Sequence, residues 1–264
     1  MRVFASLSAI SLLVLAASTA AAPPRRVASL NLCTDELVLM LAAPEQIVSV
    51  THLAQQQAET PLWRQARRYR RNDGSLTSAV PMRPDLVVTM GGGARDRLRI
   101  AQRLGIRTID LPFAASLGDL GESIERLSIA LGRPARGVAL LRRLQALVRS
   151  RPPAERDSIW LGGGGRTVAP DGLEAQWMAL AGLRQRPLRG DRVSLETLLA
   201  EPPSVLLRSD YRQGQYSAGQ RWLSHPAARR GRGLRTIATD GRRWTCMGPL
   251  LIDEIERLRR EVAR

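Results

Sequence analysis

Residues 26–50, RVASLNLCTDELVLMLAAPEQIVSV, decide the fold, because their pattern returns over residues 83–111 as RPDLVVTMGGGARDRLRIAQRLGIRTIDL. Each copy reads as strand, loop, helix, strand. Val27 to Leu30 and Leu86 to Thr89 are short apolar runs suited to parallel strands covered on both faces. The apolar positions that follow at helical spacing (Leu37 and Leu41; Leu98, Ala101 and Leu104) suit the covering helices. The architecture is α/β. In open sheets of this kind ligands bind beyond the carboxyl ends of the strands, and here those ends carry Asn31, Cys33, Thr34 and the glycines Gly91, Gly92 and Gly93.

The chain opens with a positive residue, Arg2, an apolar stretch from Leu7 to Ala17 too short to span a bilayer, and small residues from Ser18 to Ala22. This is the pattern of an export leader over residues 1–22. Cleavage after Ala20 or Ala21 is favoured, since Pro23 at the first mature position blocks the peptidase. No lipobox cysteine follows and no later apolar run approaches the length of a membrane span, so the exported mature chain is expected to be soluble rather than anchored.

Two α/β stretches then follow, a first lobe over residues 23–133 and a second over 152–264. The second begins with the strand-like SIWLGGGG and contains PSVLLRSD and LRTIATD. Between them lies PARGVALLRRLQALVRSRPP, with Val138, Leu141, Leu144 and Val148 on one face and prolines at both ends. That pattern predicts a single long connecting helix over 134–151, with Pro134 in its first turn and Pro152 stopping it. At 1.5 Å per residue it would run roughly 25 Å, enough to brace two lobes.

All 40 basic residues are arginine, against 24 acids, giving a formal net charge of +16. Such uniform arginine usage points first to coding bias. The densest run, RQARRYRR at 64–71, holds one aromatic, Tyr69, too few for a base-stacking platform, and no nucleic-acid partner is expected. A cleft with inward arginines and an anionic ligand fits better, with Arg95, Arg212, Arg242 and Arg243 near loop ends.

The two cysteines sit on opposite halves. Cys33 follows the first strand and Cys246 precedes the last helix, so they can be paired across the lobes, free, or in contact with a ligand or metal. With His52 at the end of QIVSVTH they could form a soft metal site, although a lone strand-end histidine reads more readily as scaffold, and no metal is assigned. The glycine run at 91–93 opens a helix and could present amides to an anion, yet it lacks P-loop and dinucleotide spacing. Catalysis is poorly supplied: there are two histidines, His52 and His225, and neither a GxSxG elbow nor an HExxH motif, while Ser194 in RVSLETLL reads as a helix cap. The chain is therefore not read as an enzyme, and no cofactor is assigned.

These segments, together with DGLEAQWMALAGL, RVSLETLLAEPPSVLLRSD and the terminal WTCMGPLLIDEIERL, resemble in their order the periplasmic substrate-binding proteins of ABC importers for cobalamin and ferric siderophores. The resemblance covers nearly the whole mature chain. It implies two Rossmann-like lobes joined by one backbone helix, and a monomeric receptor delivering a metal chelate or corrinoid to an inner-membrane ABC permease. It also implies ligand contacts at Asn31, Cys33, Thr34, His52, Leu53, Met90, Gly91, Gly92, Gly93, Arg243, Trp244 and Cys246, to which Arg95 is added by its place near a loop end. The family's two docking glutamates match Glu196 in the second lobe and Thr77 in the first, where Asp73 is the nearest acid. Few rings match the cleft beyond Trp244, which favours an anionic metal chelate over cobalamin. A secreted α/β enzyme or thiol redox protein using Cys33 and Cys246 is the alternative.

Overall fold

The structure, a computed structural model of the 264-residue chain, describes residues 22–92, 95–210 and 234–264. Residues 1–21, which hold nearly all of the expected leader, lie outside the described residues, as do Gly93, Arg212, His225 and the side chain of Arg95. Among the described residues no helix is long and apolar enough to cross a membrane.

The first lobe is a parallel sheet of five strands: β1 (Val27–Ser29), β2 (Ile47–Thr51), β3 (Arg70–Asn72), β4 (Leu86–Met90) and β5 (Arg107–Leu111), in the order β3-β2-β1-β4-β5. Val27, Ala28, Leu86, Val87 and Val88 are all buried, as a strand covered on both faces requires. The covering helices are α1 (Leu32–Leu41), the single turns α2 (Trp63–Ala66) and α3 (Leu76–Ala79), then α4 (Arg95–Arg103) and α5 (Leu117–Ala130). Ser116 and Asp119 form a capping box that fixes the start of α5. Leu104 falls just beyond α4 and is exposed, unlike the expected covering position.

Helix α6 spans Pro134–Arg149, with proline in its first turn, close to the expected bounds. Its buried face differs from the expected one. Leu140, Leu144 and Leu147 turn inward, whereas Val138 and Val148 remain 44% and 47% exposed. The cause is Gly137: a Cβ there would lie 2.1 Å from Ser128 Oγ, so only glycine lets α6 settle so closely on α5, and that contact sets the helix rotation. The helix touches both halves of the chain. Arg136 donates to the Ala42 carbonyl at 2.5 Å, Arg143 pairs with Asp253 at 2.5 Å, and Arg259 donates to the Leu147 carbonyl at 2.7 Å.

The second lobe is a parallel sheet of β6 (Arg156–Leu161), β7 (Leu183–Gln185), β8 (Val205–Asp210) and β9 (Arg235–Asp240), in the order β7-β6-β8-β9. It carries α7 (Leu173–Leu180), α8 (Leu195–Ala200), the short α9 (Gly241–Trp244) and α10 (Leu251–Val262). The lobes are joined away from α6 as well. Gln176 of α7 accepts the Leu117 amide at 3.1 Å and donates to the Ala115 carbonyl at 3.3 Å, tying the start of α5 to the second lobe.

Candidate ligand cleft between the lobes

Cys33 and Cys246 are bonded to each other, with Cα atoms 5.2 Å apart and a sequence separation of 213. Of the alternatives open for these residues, pairing is the one realised. Their sulfurs are thereby unavailable as thiolate ligands, which removes the soft metal site with His52. Among the described residues no cluster of three or more His, Cys, Asp or Glu could hold a metal ion.

On the first lobe, Asn31 caps α1 by accepting the Cys33 amide at 2.8 Å, which holds the disulfide at the strand end. Thr34, expected at the ligand, is fully buried instead. Its hydroxyl is bonded to Ser29 Oγ at 2.7 Å and the Asn31 carbonyl at 2.9 Å, so it belongs to the framework beneath α1. His52 is exposed just past β2, and Leu53 packs half-buried against the core. Met90 ends β4, half-buried.

Gly91 and Gly92 adopt φ of 97° and 69°, a backbone that excludes ordinary side chains. They do not form an anion cradle. The Gly91 amide donates to the Leu111 carbonyl at 2.9 Å and the Gly92 amide to Asp110 Oδ2 at 2.9 Å, while Asp110 Oδ1 accepts from Thr89 at 2.6 Å. The turn is instead a platform for Phe113, whose ring would sit 2.5 Å from a Cβ at Gly91. Phe113 is 67% exposed at the end of β5, an aromatic face displayed to solvent.

Trp244 is the opposite case. Expected as a cleft wall, it is 2% exposed: its indole N–H donates to Thr239 Oγ1 at 2.8 Å and its ring lies 6.2 Å from that of Trp160. Asp240 caps α9 and turns the indole inward, where a hydrogen-bond partner waits, so Trp244 is a core residue. Arg242 and Arg243 are likewise engaged within the fold. Arg242 grips both oxygens of Asp240 at 2.8 and 2.7 Å and donates to the Gln57 carbonyl across the lobes at 2.8 Å. Arg243, expected to face an anionic ligand, donates to the Leu250 carbonyl at 2.9 Å and braces the 245–250 loop.

Beside the disulfide a cavity of about 170 Å³ opens between the lobes. Exposed Pro112, Phe113 and Thr245 lie around it, with Met90 and Met247, while buried Glu36, Leu37, Leu120 and Ser123 form its inner wall. Glu36 accepts the Thr60 hydroxyl at 2.7 Å on Oε1, but its Oε2 and the Ser123 hydroxyl have no partner. Burial pushes the Glu36 carboxyl up to about 8, the Thr60 bond opposing and the neighbouring Asp35 reinforcing the rise. Burial also raises Asp35, to about 7, against the bonds it accepts from Thr51 and Ser29. Two adjacent carboxyls thus hold protons in the interior well above the usual range.

The candidate docking residues lie elsewhere. Glu196 is exposed in the first turn of α8, behind the cap formed by Ser194 on the Thr197 amide at 3.2 Å, and the Ser194 hydroxyl lowers its pKa. Thr77 is exposed on α3. Asp73 is exposed too, but its Oδ1 accepts the Ser75 amide at 2.8 Å and the Ser78 hydroxyl at 2.7 Å, which places it in the turn before α3 and lowers its pKa to about 2. In the sequence Phe113 is marked only by its place just after a strand end, and Glu36 is not marked at all.

The fold is that of the periplasmic binding proteins with two parallel-sheet lobes. The periplasmic heme-binding protein HutB of Vibrio cholerae matches with a TM-score of 0.69 at 17% identity, covering 90% of this chain and 99% of that one. The periplasmic vitamin B12 binding protein BtuF of Vibrio cholerae gives 0.62 at 18% identity, over 91% and 97%. The periplasmic heme-binding protein BhuT, in complex with two hemes, gives 0.64 at 19%, over 92% and 98%. At these identities the likeness is one of fold. No protein-family model matches the chain, and no curated protein matches it in sequence.

Proposed function

We propose that this protein is a periplasmic receptor that holds a metal chelate, such as a ferric siderophore-like complex or heme, or a corrinoid between its lobes, and hands it to an ABC permease in the inner membrane. The observation that carries the reading is the likeness of fold over about nine-tenths of this chain and nearly all of the B12- and heme-binding proteins named above. The leader pattern at residues 1–22 supports export. Helix α6, in contact with both halves, serves in this reading as the strut between lobes that move little. Phe113 and Met90 supply apolar surface for a flat or chelated ligand, and Asn31 and His52 its polar neighbours at the strand ends. Glu196 is the second-lobe docking residue; Asp73, occupied in its own turn, is the weaker of the two.

The test is thermal melting of the mature protein with hemin, cyanocobalamin and a ferric hydroxamate or catecholate. A saturable rise in melting temperature with one of them, and recovery of that ligand unaltered, is the expected result. If no member of the three classes raises the melting temperature, the receptor reading fails. Turnover of a disulfide substrate that depends on Cys33 and Cys246 would support the redox alternative instead.

A further inference from the structure

Outside the cleft, the strongest concentration of one charge is the edge of the first lobe from Arg64 to Arg71. Arg64, Arg67, Arg68, Arg70 and Arg71 are all exposed, and no carboxylate among the described residues pairs with any of them. Two of these arginines are ordered on an aromatic surface: the Arg64 and Arg67 guanidiniums lie 4.4 and 5.0 Å from the ring centroid of half-buried Trp63. Arg70 and Arg71 belong to β3, which among the described residues pairs only with β2 and so forms the edge of the sheet. Five uncompensated guanidiniums beside a tryptophan make a surface with both charge and an amphipathic ring.

We propose that this face binds the anionic phospholipid headgroups of the membrane. Guanidinium forks match phosphate oxygens, a bilayer offers many phosphates side by side, and an amphipathic ring suits the headgroup level. The segment runs directly into the 73–77 turn, where the first lobe lacks the glutamate expected for docking. Its position beside the permease rests on the receptor reading above; the lipid binding does not. Charge on β3 also discourages another strand from adding to that edge, and that role alone would leave no affinity for lipid.

Flotation of the mature protein with phosphatidylcholine vesicles, with and without phosphatidylglycerol, tests the proposal. Binding is expected only with phosphatidylglycerol, and should weaken as salt is raised. Arg68→Gln, Arg70→Gln and Arg71→Gln together should lower it at least about tenfold. A control carrying Arg103→Gln, Arg126→Gln and Arg142→Gln, exposed positions elsewhere with the same loss of charge, should change it less than about twofold. Equal losses in the two triple variants would reduce the effect to net charge and overturn the proposal, as would equal binding to phosphatidylcholine alone or no binding at all. Patch-dependent binding to polyglutamate but not to vesicles would assign the face to an acidic protein instead. Melting curves check that each variant is folded, and failure of any arm leaves the ligand tests above unaffected.

Discussion

Among the described residues, Phe113 of the first lobe and Trp244 of the second are used in opposite ways. The first lobe displays Phe113 to solvent over a glycine turn, and the second buries Trp244 with its N–H bonded to Thr239. Charge differs between two places as well: Arg242 and Arg243 are hydrogen-bonded to Asp240 and the Leu250 carbonyl, while Arg64, Arg67, Arg68, Arg70 and Arg71 are exposed and have no carboxylate partner among the described residues. At the cavity beside the disulfide the exposed ring is therefore the first lobe's Phe113.

The largest expected effect concerns the bond that holds the two lobes together. Closing a loop of 213 residues removes about 5 kcal/mol of chain entropy from the unfolded state. Cys33→Ser should lower the denaturation midpoint by a large part of that, and reductant should do the same to the parent protein and nothing further to the variant. An unchanged midpoint would mean that the lobes hold each other without it.

Next comes the contrast between the rings. Trp244→Ala should cost about 3 to 5 kcal/mol of stability by emptying a packed site. Phe113→Ala should leave the melting temperature nearly unchanged and weaken ligand binding by about 1 to 2 kcal/mol, roughly tenfold. If Phe113→Ala unfolded the protein while Trp244→Ala spared it, the assignment of roles to the lobes would be reversed.

The buried carboxyls give a pH test confined to the first lobe. Asp35 and Glu36 ordinarily titrate at 3.8 and 4.5, but folded they do so at about 7 and about 8. The folded state thus binds these protons more tightly than the unfolded one. Their contribution is greatest below pH 4 and is lost progressively as the pH rises toward 8. Denaturation midpoints should fall across that window, and Glu36→Gln should flatten its upper part. A Glu36→Gln protein with the parent's slope would show that the carboxyl is ionised when folded.

The smallest expected effect on the fold is at Glu196, exposed on α8. Glu196→Arg should change the melting temperature and ligand affinity little while reducing uptake through the permease. Loss of ligand affinity alongside uptake would remove its docking role.

Much of this fold was legible because parallel strands covered on both faces read as unbroken apolar runs, as at Leu86 to Val88, and because prolines bounded α6. The buried face of α6 was not, since Val138 and Leu140 are equally apolar and the choice was made by the close approach of Gly137 to Ser128. Trp244 misled because a tryptophan in a loop between strand and helix carries no mark of its burial; the Asp240 cap that turns it inward acts in three dimensions. Glu36 was invisible for a related reason. An acid on a helix is ordinarily solvated, and only the packing of α1 against α5 and the loop from the second lobe places this one in the interior. The cleft could be located from strand ends, but its lining depended on which side chains those ends turned outward.

The Cys33–Cys246 bond also bears on how the molecule is made. During synthesis the first lobe emerges long before its cysteine has a partner, because Cys246 follows 213 positions later. In the export reading proposed above, Cys33 meets its partner only after the 213 positions that separate the two have reached an oxidising compartment. The bond is then a record of how far the chain has come: one that stops before Cys246 can never be sealed.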